Sequence, residues 1–142
     1  MKKRSKVFRI VFYILIIIFF VVMALIINPL LRTEAGIRRY LLRATPIGTS
    51  MEEIIRVADD NARWTIRSIR GNAGVTLHPT IPSLPTRNEP GDRGFSVVGE
   101  QSVRIHLGTF QLIVRFDVTA FYAFDENGEL IEIFVRREFD VI

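Results

Sequence analysis

The sequence predicts an α+β protein. One membrane-spanning helix leads into a small domain, in which one or two helices pack on an antiparallel sheet of three to five strands. Three observations predict it. An uncharged, largely aliphatic run fills positions 10–31. A helix-start signature stands at Ser50-Met51-Glu52-Glu53. Apolar residues alternate with polar ones over much of 103–136.

The uncharged run is 22 residues long. At 1.5 Å per residue it makes about 33 Å of helix, against a hydrocarbon core of about 30 Å. It lacks the polar face that a helix on a globular core keeps. Central Ile, Leu, Phe and Val each favour insertion by about 0.3–0.6 kcal/mol, or about 5–10 kcal/mol together. Ile, Val and Phe are poor helix formers in water. In lipid, the need to satisfy every backbone group internally overrides that penalty.

Lys2, Lys3, Arg4, Lys6 and Arg9 precede the run with no acid among them. That asymmetry predicts a cytoplasmic tail at 1–9, a transmembrane helix at 10–31 and an extracytoplasmic remainder. Arg32, Arg38, Arg39 and Arg43 on the far side weaken the asymmetry. A cleaved signal peptide shares the basic start, but its apolar core is shorter and a small-x-small site follows it. Asn28-Pro29-Leu30-Leu31-Arg32 offers no such site, so an uncleaved anchor is expected.

The net charge of +4 belongs to the tail. Without its five basic residues the chain carries 14 Arg against 15 Asp and Glu, a net of −1. The high pI is therefore a topology signal, and nucleic acid is not an expected partner. The expected partners are the lipid bilayer and another envelope protein. The absence of cysteine excludes disulfides, thiolate metal sites and a thiol nucleophile.

Residues 32–46 read as a juxtamembrane linker or helix. Thr33 would cap it, Ile37, Tyr40 and Leu41 would share one side, and Arg38, Arg39 and Arg43 would lie near the head groups. The extracytoplasmic α+β domain is then 47–142. A helix is expected over 50–61, with the Ser50 hydroxyl and Glu53 carboxylate forming a reciprocal capping box. Met51, Ile54, Ile55 and Ala58 give it an apolar stripe. Asp59 and Asp60 read as solvated acids at its end.

Ala62 to Arg70 reads as a strand, with Trp64, Ile66 and Ser68 on one face and Trp64 anchoring it to the helix. A turn at 71–74 and a short strand at 75–78 follow. Positions 79–94 hold four prolines, which excludes helix and central strand and leaves a long loop. Its Arg87 and Arg93 are candidate partner contacts. Phe95 to Leu107 is extended, with Val103, Ile105 and Leu107 on one face. Gly108-Thr109 fits a two-residue hairpin. Phe110 to Phe124 alternates without a break and reads as one long strand. Asp125 to Glu129 is a turn around Gly128. Leu130 to Arg136 returns, with Ile131, Ile133 and Val135 facing the core. Phe121, Leu130 and Phe134 fall on the opposite face, where Phe121 and Phe134 are further candidate partner contacts.

Little in the chain promises catalysis. His78 and His106 are far apart in sequence, and His106 shares a polar strand face with Arg104. Asp117, with Arg115 and Thr119, reads as paired surface charge. No catalytic residue, cofactor site or metal site is expected.

Two motifs carry a resemblance. Gly48-Thr49-Ser50-Met51-Glu52-Glu53-Ile54-Ile55 opens a helix, and Phe124-Asp125-Glu126-Asn127-Gly128-Glu129-Leu130 turns a final hairpin. With the anchor before them, they resemble small membrane-anchored envelope proteins of bacteria. More loosely, the order is similar to the helix-plus-three-strand lipoproteins of the outer-membrane barrel assembly machinery. The chain departs from the latter in having no lipobox cysteine and in its Pro-rich loop. The resemblance implies a fold and no catalytic residue.

The leading functional expectation is a non-catalytic, membrane-anchored interaction domain that meets an envelope partner by surface contact. An immunity or inhibitor protein that holds a toxin at the membrane is one alternative. An enzyme using His106, Arg104 or Asp117 is another, and it would need a deep cleft lined by those side chains.

Overall fold

A computed structural model describes residues 2–78, 96–111 and 115–139. Arg87, Arg93 and the predicted loop at 79–94 lie outside the described residues. In chain order the elements are α1 (Lys2–Ile27), a 3₁₀ turn (Pro29–Leu31), α2 (Glu34–Ala44), α3 (Met51–Asp59), β1 (Thr65–Arg70), β2 (Val75–Leu77), β3 (Ser96–Val98), β4 (Gln101–Gln111), β5 (Arg115–Phe124) and β6 (Leu130–Phe139). The fold is α+β. An antiparallel four-stranded sheet is ordered β1-β4-β5-β6, and β2 and β3 form a separate antiparallel pair.

Lys6–Ala24 of α1 is long and apolar enough to cross a membrane, and none of it is buried against the domain. The join to the domain is short. Asn28 alone separates α1 from the 3₁₀ turn, and its Oδ1 accepts from the Leu30 amide at 3.1 Å. Pro29 opens the turn, where its missing N–H costs nothing. Leu30 already lies in the core, 7% exposed. Thr33 caps α2 through its Oγ1, which accepts from the Gly36 amide at 3.3 Å. Ile37 and Leu41, four apart on one helix face, are fully buried, and α2 packs on β6. The stretch 32–46, set apart from the domain by the sequence, thus supplies part of its core.

Ser50 caps α3 by accepting from the Glu53 amide at 3.3 Å. The reciprocal half of the expected box is not made. Glu53 turns to Arg56, one turn on, with an Nη2–Oε1 distance of 2.6 Å. α3 ends at Asp59, and Ile54 and Ala58 are buried. Trp64, half-buried, packs against the same core.

Two expectations about β4 and β5 fail together. Gly108 is not in a hairpin turn; it sits within β4, at φ +147°, next to a register shift between His106 and Gly108. The shift is a β-bulge, which inserts one residue and reverses the inward–outward phase of the strand. Leu107 faces inward before it and Phe110 after it. The expected single strand over 110–124 is two strands, because the chain reverses between Gln111 and Arg115, which are paired. An odd number of intervening residues preserves parity across a reversal. Period-two alternation therefore reads the same whether a strand continues or folds back.

The turn at 125–129 forms as expected. Asp125 Oδ1 accepts from the amides of Asn127 and Glu129, both at 2.9 Å, and Gly128 takes φ +77°. A second bulge, between Ala123 and Phe124 in the pairing with β6, changes the faces beyond it. Leu130, expected outside, is fully buried in the main core, and Ile131, expected inside, is 39% exposed.

The main core lies between the sheet and helices α2 and α3. On the outer face, Val75 and Leu77 of β2 pack with Phe121, Ala123, Val98 and Phe134. Ser102 Oγ ties this layer down by donating to the Ala73 carbonyl at 2.7 Å. In the main core the fully buried Tyr122 hydroxyl makes no hydrogen bond of good geometry. Burial pushes its pKa well above the usual value, and the nearby Thr45 side chain offsets this only in part.

If α2 belongs to the core, Leu41→Ala will cost about 2–5 kcal/mol, as buried leucine truncations do. Denaturant unfolding of the detergent-solubilised chain measures this. A loss below about 0.5 kcal/mol, the range of surface substitutions, would return α2 to the status of a linker.

Candidate functional site

Every strand of the main sheet sends alternate side chains to the face away from α2 and α3. Pairing places Ser68 opposite Arg104, His106 opposite Thr119, Thr109 opposite Asp117, and Asp117 opposite Glu138. The β2–β3 ribbon covers the half of this face that bears Phe121 and Ala123. On the other half, Arg67, Arg104, His106, Asp117, Thr119 and Glu138 line a concavity of about 250 Å³.

The concavity carries two guanidinium groups and two carboxylates. Asp117 and Glu138 face each other across β5 and β6, which is costly for like charges unless each has a partner. Both have one. Arg136 Nε lies 3.2 Å from Glu138 Oε1, and Thr109 Oγ1 donates to Asp117 Oδ1 at 2.5 Å. The same Thr109 oxygen is 3.4 Å from His106 Nε2.

This order differs from that of a nucleophilic triad, where imidazole stands between hydroxyl and carboxylate. Here the hydroxyl stands between them. Its proton is directed to Asp117, so His106 has no hydroxyl proton to take. Burial pushes the His106 pKa down; Asp117 pulls it back up, and Arg67 adds to the downward push. The net effect favours the neutral imidazole over the protonated one.

The structure brings Arg104, His106 and Asp117 together. Of the candidate contacts Phe121 and Phe134, Phe121 also lines the concavity, where the β2–β3 ribbon borders it. Phe121 is 8% exposed and Phe134 is half-buried, both packed under the β2–β3 ribbon. The pairing of 75–77 with 96–98 spans a long sequence separation, and no local pattern announces it. His78 ends the ribbon and His106 lies in the main sheet, so the two belong to different layers. Among the described residues, no three His, Asp and Glu side chains are placed to hold a metal ion.

Sequence reasoning missed Arg67 and Glu138. Arg67 stands at a register shift between Ile66 and Ser68, which simple alternation does not foresee. Glu138 lies beyond the expected end of the last strand, which runs on to Phe139. The alternation of Arg136 and Glu138 with Arg137 and Phe139 was the available signal. Comparison with protein-family models, curated proteins and solved structures found no match.

The depressed pKa of His106 sets a pH dependence. Near pH 6 the unfolded chain, with His106 at its ordinary 6.5, binds more protons than the folded chain. Stability is fully present above that value and falls as pH drops below it. Between about pH 7.5 and about pH 5, wild type will lose more stability than His106→Gln, measured by thermal unfolding at each pH. Parallel losses in the two proteins would show that His106 ionises as freely folded as unfolded.

Proposed function

We propose that this chain is a single-pass membrane protein with a cytoplasmic N-terminal tail. Its α+β domain works outside the cytoplasm, as a non-catalytic module that contacts another envelope protein. The observation that carries this reading is the join: an exposed apolar helix passes through one residue into a turn whose Leu30 is core. A domain so joined is held close to the bilayer surface. The basic residues in the first turns of α1, ahead of its apolar run, support the orientation. The order of anchor, helix and final strands is the ground for grouping the chain with small bacterial envelope proteins.

Contact is favoured over catalysis by the concavity itself. Its volume of about 250 Å³ is below the ~300–1,000 Å³ of small-molecule clefts. Its hydroxyl is positioned as a strut between His106 and Asp117. Alternating positive and negative groups on a rigid strand face suit a partner with complementary charges, and such pairs set specificity and register.

Three experiments test this proposal, two for anchoring and orientation and one for the contact. After carbonate washing the full-length chain will stay with the membrane pellet, and alkaline phosphatase fused after Ile142 will be active. A soluble, unclipped chain or an inactive fusion would refute anchoring or orientation respectively. For the contact, a photo-crosslinking residue at Thr119 will give one discrete adduct in cells, lost when Arg104 and Asp117 are both changed to Ala. A probe at Glu52, exposed on α3, will not give it. An adduct that survives the double substitution would mean that the groove is not the contact surface. A toxin in the adduct would favour the immunity alternative.

A further inference from the structure

We propose that the junction of α1 and α2 holds a binding site for a phosphate group, carried by an anionic lipid head group or by soluble phosphate. The inference rests on reading α1 as a membrane span.

Arg32, Arg39, Arg43 and Arg137 line a cavity of about 520 Å³, together with Tyr40. Among the described residues, no Asp or Glu lines it. Arg39 and Arg43 converge because they are four apart on α2 and share a helix face. Arg38, on another face, is engaged elsewhere, with Nε 3.1 Å from Glu132 Oε1 and 3.0 Å from the Ile133 carbonyl. Glu34, the acid of α2, accepts from the Arg137 backbone amide at 3.0 Å.

Arg137 enters from β6 with its plane fixed by aromatic rings. Its guanidinium carbon is 4.4 Å from the Phe116 ring centre and 5.3 Å from that of Phe139. Its Nε is shielded from solvent and donates to no acceptor among the described residues. Its Nη1 lies 3.5 Å from the Arg32 carbonyl, which holds the guanidinium at the start of α2. Gathered guanidinium groups repel one another, and an anion between them relieves that cost. Phosphate suits them, since it offers several acceptor oxygens to planar N–H forks.

The cavity is placed where lipid phosphate would be. Arg32 follows the last residue of α1 by five positions, most of them in a 3₁₀ turn rising about 2 Å per residue. That is about 10 Å beyond the helix end, near the head-group layer. Tyr40, apolar at one end and polar at the other, is a residue type favoured at that interface.

The test uses the full chain in a neutral detergent, titrated with short-chain phosphatidylglycerol and, separately, with inorganic phosphate. At least one probe is expected to bind, and Arg39→Gln with Arg43→Gln to weaken it about tenfold or more. Both arginines are exposed, so the double variant is expected to stay folded. A variant with Lys2, Lys3 and Lys6 changed to Gln is expected to bind as wild type does. Tighter binding of the lipid assigns a head-group site, and tighter binding of phosphate a soluble ligand. Absence of binding by either probe, affinity unchanged in the arginine variant, or an equal loss in the lysine variant would overturn the proposal. None of these readouts depends on membrane sedimentation, so this inference can fail while the anchor stands.

Discussion

The burial of Leu30, Ile37 and Leu41 against the sheet is the interaction on which the rest depends. These residues belong to the segment that leaves α1, and they are also core. An apolar helix fully exposed along its length has no reason to stay near a globular domain in water. Here the domain cannot complete its core without the chain that descends from that helix. Leu30 marks the transition from a segment matched to lipid to one matched to protein. The single intervening residue, Asn28, satisfies the amide of Leu30 and so stiffens the passage.

The sheet then divides labour between its faces. One face carries Val103, Ile105, Val118, Ala120, Tyr122 and Ile133 under the two helices. The other is half closed by β2 and β3 and half open and charged. Three register shifts make this division possible. Each changes which residues face inward along a strand, and the one in the β5–β6 pairing brings Leu130 into the core. The shift in β4 falls at Leu107, between His106 and Gly108, so His106 keeps the outer face while Phe110 regains the inner one. Bulges re-aim side chains in this way at the cost of a local break in the ladder.

Much of this was legible in the sequence, and the failures share a cause. The long apolar N-terminal helix, the Thr33 and Ser50 caps, the strand at Thr65–Arg70 and the Asp125–Glu129 turn rest on contacts within a few residues, which composition and spacing express directly. Parity is also local, but it is ambiguous at reversals and bulges. The phase break near Gly108 was visible; whether it meant a turn or a bulge depended on pairing with β5. The closure of Phe121 and Phe134 depended on two short strands meeting across a long separation. The concavity needed residues from all four strands, including Arg67 at a register shift and Glu138 past the predicted strand end. The main fold needed few non-local facts, and the site needed several.

Charge distinguishes the two polar surfaces in a way that bears on how the domain is oriented. The concavity sets Arg67 and Arg104 among Asp117 and Glu138, so its opposite charges largely cancel at a distance, and recognition there requires close fit. The cavity by α2 is lined by arginines, and beside a bilayer its field would reach about a Debye length into the head-group layer. A single transmembrane helix constrains depth but leaves tilt and rotation about its axis free. On the reading proposed above, a second attachment beside the first, through arginines on α2 and β6, would remove that freedom. The outer face of the sheet would then hold one angle to the bilayer, and a partner fixed in the same membrane would find the groove already turned toward it or away.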